Sequence, residues 1–171
     1  NRMTGPYRGV FWGTILCKAG LAERVDAGVY PGSQGGPLMN MIAGKAVALA
    51  EALRPEFKDY QRQVCFNASA LAEGLQIAGF RLVSGGTDTH LLMVDLASRH
   101  PEVTGEAAED WLEQAGIVAG GKRLPFDTRE VGESSGLRIG TAALTSRGMG
   151  KDEMKVIAEM LGRVLGSSGD Q

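Results

Sequence analysis

Two short strings hold the residues in this chain best suited to chemistry. The first is Tyr30-Pro31-Gly32-Ser33-Gln34-Gly35-Gly36-Pro37-Leu38, which sets paired glycines just ahead of a long amphipathic run. Glycines at such a place expose bare backbone amides, and the positive end of a helix dipole lies close by, so Gly35 and Gly36 suit a phosphate group. The same residue types also make plain turns. The second string is Ser135-Gly136-Leu137-Arg138-Ile139-Gly140-Thr141. A planar guanidinium grips a carboxylate bidentately and fixes its orientation. An Arg on a short strand more often serves as a surface or ion-pair residue, but the glycines and apolar residues around Arg138 argue against a solvated face. Asp88 and His90 sit in a turn and read as a turn cap and a satisfied imidazole. Asp95 reads as an ion-pair or cap residue. Cys17 and Cys65 stand far apart without a CxxC motif, and with two His in the chain the pattern argues against a zinc site. They read as buried, reduced cysteines of a cytoplasmic protein.

The elements that must position these residues follow from periodicity. Residues 8–17 are apolar and β-branched enough for a buried strand. Leu38, Ile42, Ala46, Leu49 and Leu53 form a helical stripe over 38–53, which Pro55 interrupts. A second stripe runs through Phe57, Tyr60, Val64, Ala68, Leu71, Leu75 and Ala78, with Gly79 placed to end that helix. The period then changes. Residues 80–83 and 91–96 read as strands around a turn at 84–88, and Thr104 starts a helix that Gly116 closes. Ile117-Val118 and residues 136–140 read as short strands, and Met154, Ile157, Leu161 and Val164 mark a last helix before a frayed end. The expected boundary lies near Pro55, with residues 1–54 in one domain and 55–171 in a small α/β domain.

Composition narrows the function. The chain has 171 residues, 43% of them hydrophobic, and a net charge of −2. That charge gives no basic footprint for nucleic acid. No apolar run reaches the roughly 20 residues that would cross a bilayer, and the start lacks both a signal layout and an initiator Met. The native chain is therefore expected to begin upstream of Asn1.

Taken together, the strings YPGSQGGPLMNMIAGKAVALAEAL, PEFKDYQRQVCFNASALAEGL, LVSGGTDTHLLMVDL and SSGLRIGTAALTSRG resemble the serine hydroxymethyltransferase family, in order and at close to family spacing. The resemblance implies the aspartate-aminotransferase fold: the end of the large cofactor-binding domain (1–54) and the small carboxyl-terminal α/β domain (55–171). It implies pyridoxal phosphate as cofactor, with Gly35 and Gly36 on its phosphate across a dimer interface. It implies Arg138 as the clamp on a substrate carboxylate. Tyr30 stands where the family has Phe, and reads either as a substrate-site ring or as an interface aromatic. Asp88 and His90 resemble the family's TDNH turn.

Two departures stand out. The family's cofactor-anchoring lysine precedes a Gly-Pro; aligned on Gly5-Pro6, that lysine falls at Asn1 or just before it, so no catalytic residue of this kind lies in the chain. Lys18, Lys45 and Lys122 sit in unrelated contexts. The chain then reads as the second piece of a longer protein, as the partner of a separate amino-terminal polypeptide, or as a degenerate remnant. The family's pterin-contacting stretch ITVNKNSVP reads here Ile117-Val118-Ala119-Gly120-Gly121-Lys122-Arg123-Leu124-Pro125, without its side-chain amides. Use of tetrahydrofolate is therefore open. The resemblance implies transfer or cleavage of a one-carbon or aldehyde unit at the α-carbon of glycine- or serine-like amino acids, in a cytoplasmic homodimer or larger assembly. A folate-independent relative such as a threonine aldolase or transaldolase is the alternative, and a non-catalytic partner subunit that keeps the fold is the rival of another class.

Overall fold

A computed structural model of the chain describes residues 13–167. The chain divides into two compact units, the break falling after Lys58.

In the first unit a 3-10 turn (Ala19–Leu21) leads into helix α1 (Ala22–Val29), and helix α2 follows (Met39–Ala52). α1 is not among the expected elements, because eight residues with few apolar positions leave little periodicity to read. The strand expected at 8–17 begins outside the described residues. Of the remainder, Gly13 forms an isolated bridge and 14–17 have no regular structure. β-Branched residues favour a strand only when a neighbour completes the ladder. α2 matches the expected helix at 38–53, but its face is inverted. Ala48 is buried, whereas Ile42, Leu49 and Leu53 of the expected stripe are exposed, Leu53 at 85%. Cys17 is exposed and Cys65, in the second unit, is half-buried, so neither is the buried cysteine expected; both are free thiols.

Helix α3 (Pro55–Ile77) starts at the proline that ends the previous run, where the missing N–H costs nothing, and carries the chain into the second unit. Its stripe is buried as expected: Val64, Ala68, Leu71 and Leu75 are inaccessible to solvent. Gly79 follows with φ +88°, a left-handed turn that lets Phe80 N–H bond back to Leu75 O.

The rest of the second unit is β1 (Arg81–Leu82), β2 (Leu91–Asp95), α4 (Gly105–Gln114), β3 (Gly120–Lys122), β4 (Gly136–Gly140), α5 (Ala142–Ser146) and α6 (Lys151–Gly166). The strands form one antiparallel sheet of order β1-β2-β4-β3. This is the expected mixed α/β class, and the core is a helical layer on one sheet face. Leu82, Leu92, Val94, Leu137 and Ile139 point inward against Leu71 and Leu75 of α3, Ala108 and Leu112 of α4, and Met154, Leu161 and Leu165 of α6. Gly74 permits the close passage of α3 over α6: a Cβ there would lie 2.6 Å from the Ala158 methyl. Thr104 caps α4 by accepting from Ala107 N–H.

One strand differs from expectation. Residues 117–119 are irregular, and the strand lies three residues further on at Gly120–Lys122. Two glycines carry almost no strand propensity. The position is set by packing: a Cβ on Gly121 would lie 2.8 Å from Gly105 C at the start of α4, so only glycine lets the edge strand seat there.

Candidate functional site

Antiparallel pairing puts direct cross-strand partners on the same face of a sheet. Leu92 faces Ile139 and Val94 faces Leu137, all inward. Arg138, one residue out of phase, therefore stands on the opposite face, with Met93 beside it on β2 and Gly120 beside it on β3. It is exposed, and among the described residues its guanidinium takes part in no hydrogen bond or ion pair. A cation in mid-sheet without an internal partner has all its donors available.

Its surroundings are mostly apolar. Gly136 and Gly140 flank it along β4. A Cβ on Gly136 would lie 2.3 Å from Leu124 Cδ2, and one on Gly140 would lie 3.0 Å from Leu91 Cδ2. Leu124, Leu91 and Met93 thus wall three sides. On the fourth, a Cβ on Gly120 would meet nothing within 4 Å. Beyond Leu91 and Met93 opens a cavity of about 560 Å³ that also takes in Thr87, Asp88 and Thr89. Elsewhere on this sheet face, Arg81 Nε donates to Asp95 Oδ2 at 2.7 Å, the ion pair expected of Asp95.

The turn before β2 is held differently from the expected Asp88 cap. Thr87 Oγ1 accepts from Thr89 N–H and donates to Leu91 O, while Asp88 is exposed and makes no hydrogen bond among the described residues. His90 is half-buried, and its carbonyl accepts from Thr141 N–H at 3.1 Å. Burial, with the Arg138 cation adding to it, holds the His90 pKa below the ordinary imidazole value.

The ends of β4 are pinned from both sides. On the carboxyl side Thr141 donates to Val64 O at 2.9 Å, and the fully buried Asn67 donates to Thr145 Oγ1 at 2.9 Å and Met149 O at 2.8 Å. On the amino side the segment 123–135 is knitted by two residues that sequence reasoning missed. Asp127 accepts from Ser135 Oγ at 2.6 Å and from the amides of Ser135, Arg129 and Leu124. The Ser135 hydroxyl, with those amides behind it, holds the Asp127 carboxyl well below the usual carboxylate range against the opposing effect of burial. Arg123 donates to the carbonyls of Glu130, Glu133, Asp127 and Arg129. The sequence offered one signal for this: an Asp followed within eight residues by paired serines at the foot of the Arg138 strand.

In the first unit, Gly35 and Gly36 lie in the irregular segment just before α2. A Cβ at either would meet nothing within 4 Å, so no contact within the described chain demands glycine there. Their amides precede the amino end of a 14-residue helix. Tyr30 ends α1, is 63% exposed, and shares an open cavity of about 650 Å³ with Asp26, Gln34, Met41 and Lys45. Tyr30, Gly35 and Gly36 thus belong to one unit and Arg138 to the other. Among the described residues no group of three or more His, Cys, Asp or Glu is placed to hold a metal ion, and no helix is long and apolar enough to cross a membrane.

A family model for serine hydroxymethyltransferase matches residues 15–161. The chain belongs to the serine hydroxymethyltransferase family. It is 49% identical over 159 residues to a serine hydroxymethyltransferase of Halobacterium salinarum, a match covering 93% of this chain and 38% of that protein. It is 50% identical over 163 residues to one of Myxococcus xanthus, covering 95% of this chain and again 38% of the relative. The chain therefore spans well under half the length of these serine hydroxymethyltransferases, and the matched span takes in the glycine loop and the Arg138 strand.

Proposed function

We propose that this chain supplies part of a pyridoxal-phosphate-dependent enzyme of the serine hydroxymethyltransferase type. The observation that carries the reading is Arg138: an exposed guanidinium with no hydrogen bond or ion pair among the described residues, framed by apolar walls, on the face of the sheet the core does not use. Such a group binds the carboxylate of a small amino acid through paired charge-assisted hydrogen bonds. The pinning of β4 at Thr141 and at the 123–135 segment gives the clamp a fixed position.

Gly35 and Gly36 fit a phosphate in this reading, since both are exposed and lead into a helix start. Pyridoxal phosphate, when bound, supplies the electron sink that makes a bond at the α-carbon of an amino acid labile. The residues of this chain orient the substrate carboxylate and hold the phosphate. Tyr30 is assigned to the substrate side of the first unit. The anchoring lysine belongs to residues before Asn1, in the same or a separate chain. Residues 1–54 then form the end of the large domain and 55–171 the small domain of a cytoplasmic homodimer or larger assembly.

The reaction is transfer or cleavage of a one-carbon or aldehyde unit at the α-carbon of glycine- or serine-like amino acids, with tetrahydrofolate as the acceptor that family membership supports. β3 carries no carboxamide side chain, so its contact with a pterin is made by backbone groups or by Lys122. The test is to purify the complete protein, reconstitute it with pyridoxal phosphate, and measure conversion of serine to glycine with and without tetrahydrofolate. Folate-dependent glycine formation supports the reading. Cofactor uptake without any cleavage of serine or threonine would overturn it in favour of a non-catalytic partner.

A further inference from the structure

β3 is the least self-supporting element of the second unit. It has three residues, two of them glycine, and pairs with β4 alone. Such a sequence carries almost no strand propensity. Its other support is α4. Gly121 N–H donates to Glu109 Oε2 at 2.6 Å, and the Gly105 backbone occupies the space a side chain at 121 would need. Residues 105 and 109 lie one turn apart, so the packing and the hydrogen bond come from one face of the helix.

Glu109 is half-buried, and among the described residues its carboxylate has this one hydrogen bond and no cationic partner. An edge strand ordinarily leaves its outer row of amides unpaired. A carboxylate on the Gly121 amide therefore does more than satisfy a donor. It fixes where the strand lies, through a short charge-assisted bond. α4 is itself tied to the run-in of β4. Gly105 N–H donates to Ser134 O at 2.8 Å, and Glu106 accepts from the Ser134 amide at 3.1 Å and its hydroxyl at 2.8 Å. Ala108 and Leu112 seat the same helix in the core. Glu106 and Glu109 thus fasten the Arg138 strand and β3 to one rigid element.

We propose that Glu109 is a positioning residue, which holds β3 where its backbone and Lys122 meet the folate. This rests on the reading that β3 contacts tetrahydrofolate, and adds the residue that keeps this contact in place. Gly120 adjoins Gly121 and stands opposite Arg138, so a shift at 121 moves the strand relative to the carboxylate clamp. A misplacement of about 1 Å in such a group can cost on the order of 100-fold.

The experiment uses the complete protein loaded with pyridoxal phosphate, in wild type, Glu109→Ala, Glu109→Gln and Glu109→Asp. It measures KM for tetrahydrofolate and for serine, and hydrogen exchange over residues 118–123. Glu109→Ala should raise KM for tetrahydrofolate by about tenfold or more, well beyond its effect on KM for serine, and exchange at 118–123 should quicken while that of β2 does not. Glu109→Gln keeps an acceptor at full reach without the charge and should recover part of the loss. Glu109→Asp, one methylene short, should recover less. These two variants report on the same bond if Glu109→Ala does not fold. Equal rises in both KM values, no rescue by glutamine, or exchange at 118–123 unchanged by loss of the carboxylate would overturn the proposal. A wild type that takes up no tetrahydrofolate, with exchange still quickened in Glu109→Ala, would instead remove the folate reading and the proposal with it.

Discussion

Helices α2 and α3 carry the same kind of pattern and meet opposite fates. Each repeats apolar residues at steps of three and four, and each folds as a helix close to the residues expected. In α3 the stripe is the core: Val64, Ala68, Leu71 and Leu75 have no exposure at all. In α2 the stripe is open, and the covered positions are instead the buried Ala48 and the half-buried Met41, Gly44, Lys45, Glu51 and Ala52. Periodicity therefore specifies a helix, but the face it buries depends on what else is there to cover it. The second unit has that cover within itself, in a sheet and two further helices. In the first unit, Ala48 is the one buried apolar residue among those described. Such exposed apolar stripes fit the proposal that 1–54 is the end of a larger domain.

The sharpest way to break this comparison is to cut matching leucines from both helices. Leu71→Ala should destabilise the chain by about 3–5 kcal/mol, combining lost transfer energy and a cavity. Leu53→Ala should change it by no more than about 0.5 kcal/mol. Urea unfolding of the 171-residue chain measures both. A large loss from Leu53→Ala would mean that the α2 stripe is covered within this chain.

Next in size is the buried polar anchor of β4. Asn67→Ala removes the donor to Met149 O and one of the two hydrogen bonds of the Thr145 hydroxyl, which keeps its bond to Thr141 O. A cost of about 2–3 kcal/mol is expected. Because the anchor holds the strand after Arg138, amide exchange at 139–146 should quicken as well. Unchanged exchange there would separate the anchor from the clamp.

The acid limb of stability sharpens the same contrast. The Asp127 carboxyl titrates below its unfolded value, so its contribution is complete above the ordinary carboxylate range near pH 4 and is lost as pH falls through and below it. Asp127→Asn should flatten the fall in urea midpoint between about pH 5 and pH 2. A profile as steep as that of wild type would place the acid sensitivity elsewhere.

The smallest effect is at His90. Its pKa is depressed by burial and by Arg138, so Arg138→Gln should raise it, as followed by the imidazole proton shifts. The sign follows from linkage: the neutral form is favoured in the folded state, so this contribution is present above about pH 6.5 and is lost as pH falls. A His90 titration unmoved by Arg138→Gln would mean that the two groups do not sense each other.

Much of the second unit was legible in the sequence because its rules are local. Gly79 and Gly116 stop their helices and Thr104 caps one. What was not legible depends on contacts between distant segments. β3 is a strand of glycines, placed by the approach of Gly121 to Gly105 rather than by propensity. α1 and α5 are too short to show a period. The buried face of α2 required knowledge of its cover. At the candidate site, the type of Arg138 and its glycine flanks could be read directly. That Gly120, eighteen residues earlier, stands beside it could not, because register is fixed only when the sheet assembles. The stapling of 123–135 by Arg123 and Asp127 was hidden for the same reason.

The claim at the centre of this account is that Arg138 receives the carboxylate of an amino acid. The most direct measurement is the affinity of the complete, cofactor-loaded protein for glycine in wild type, Arg138→Lys and Arg138→Ala, with cofactor content measured in parallel. A charge-assisted bidentate pair contributes on the order of 1.5–3 kcal/mol. Arg138→Ala should therefore lose affinity by about 10- to 150-fold, Arg138→Lys should recover part of the loss, and cofactor content should stay near that of wild type. Glycine affinity in Arg138→Ala equal to that of wild type would contradict the claim.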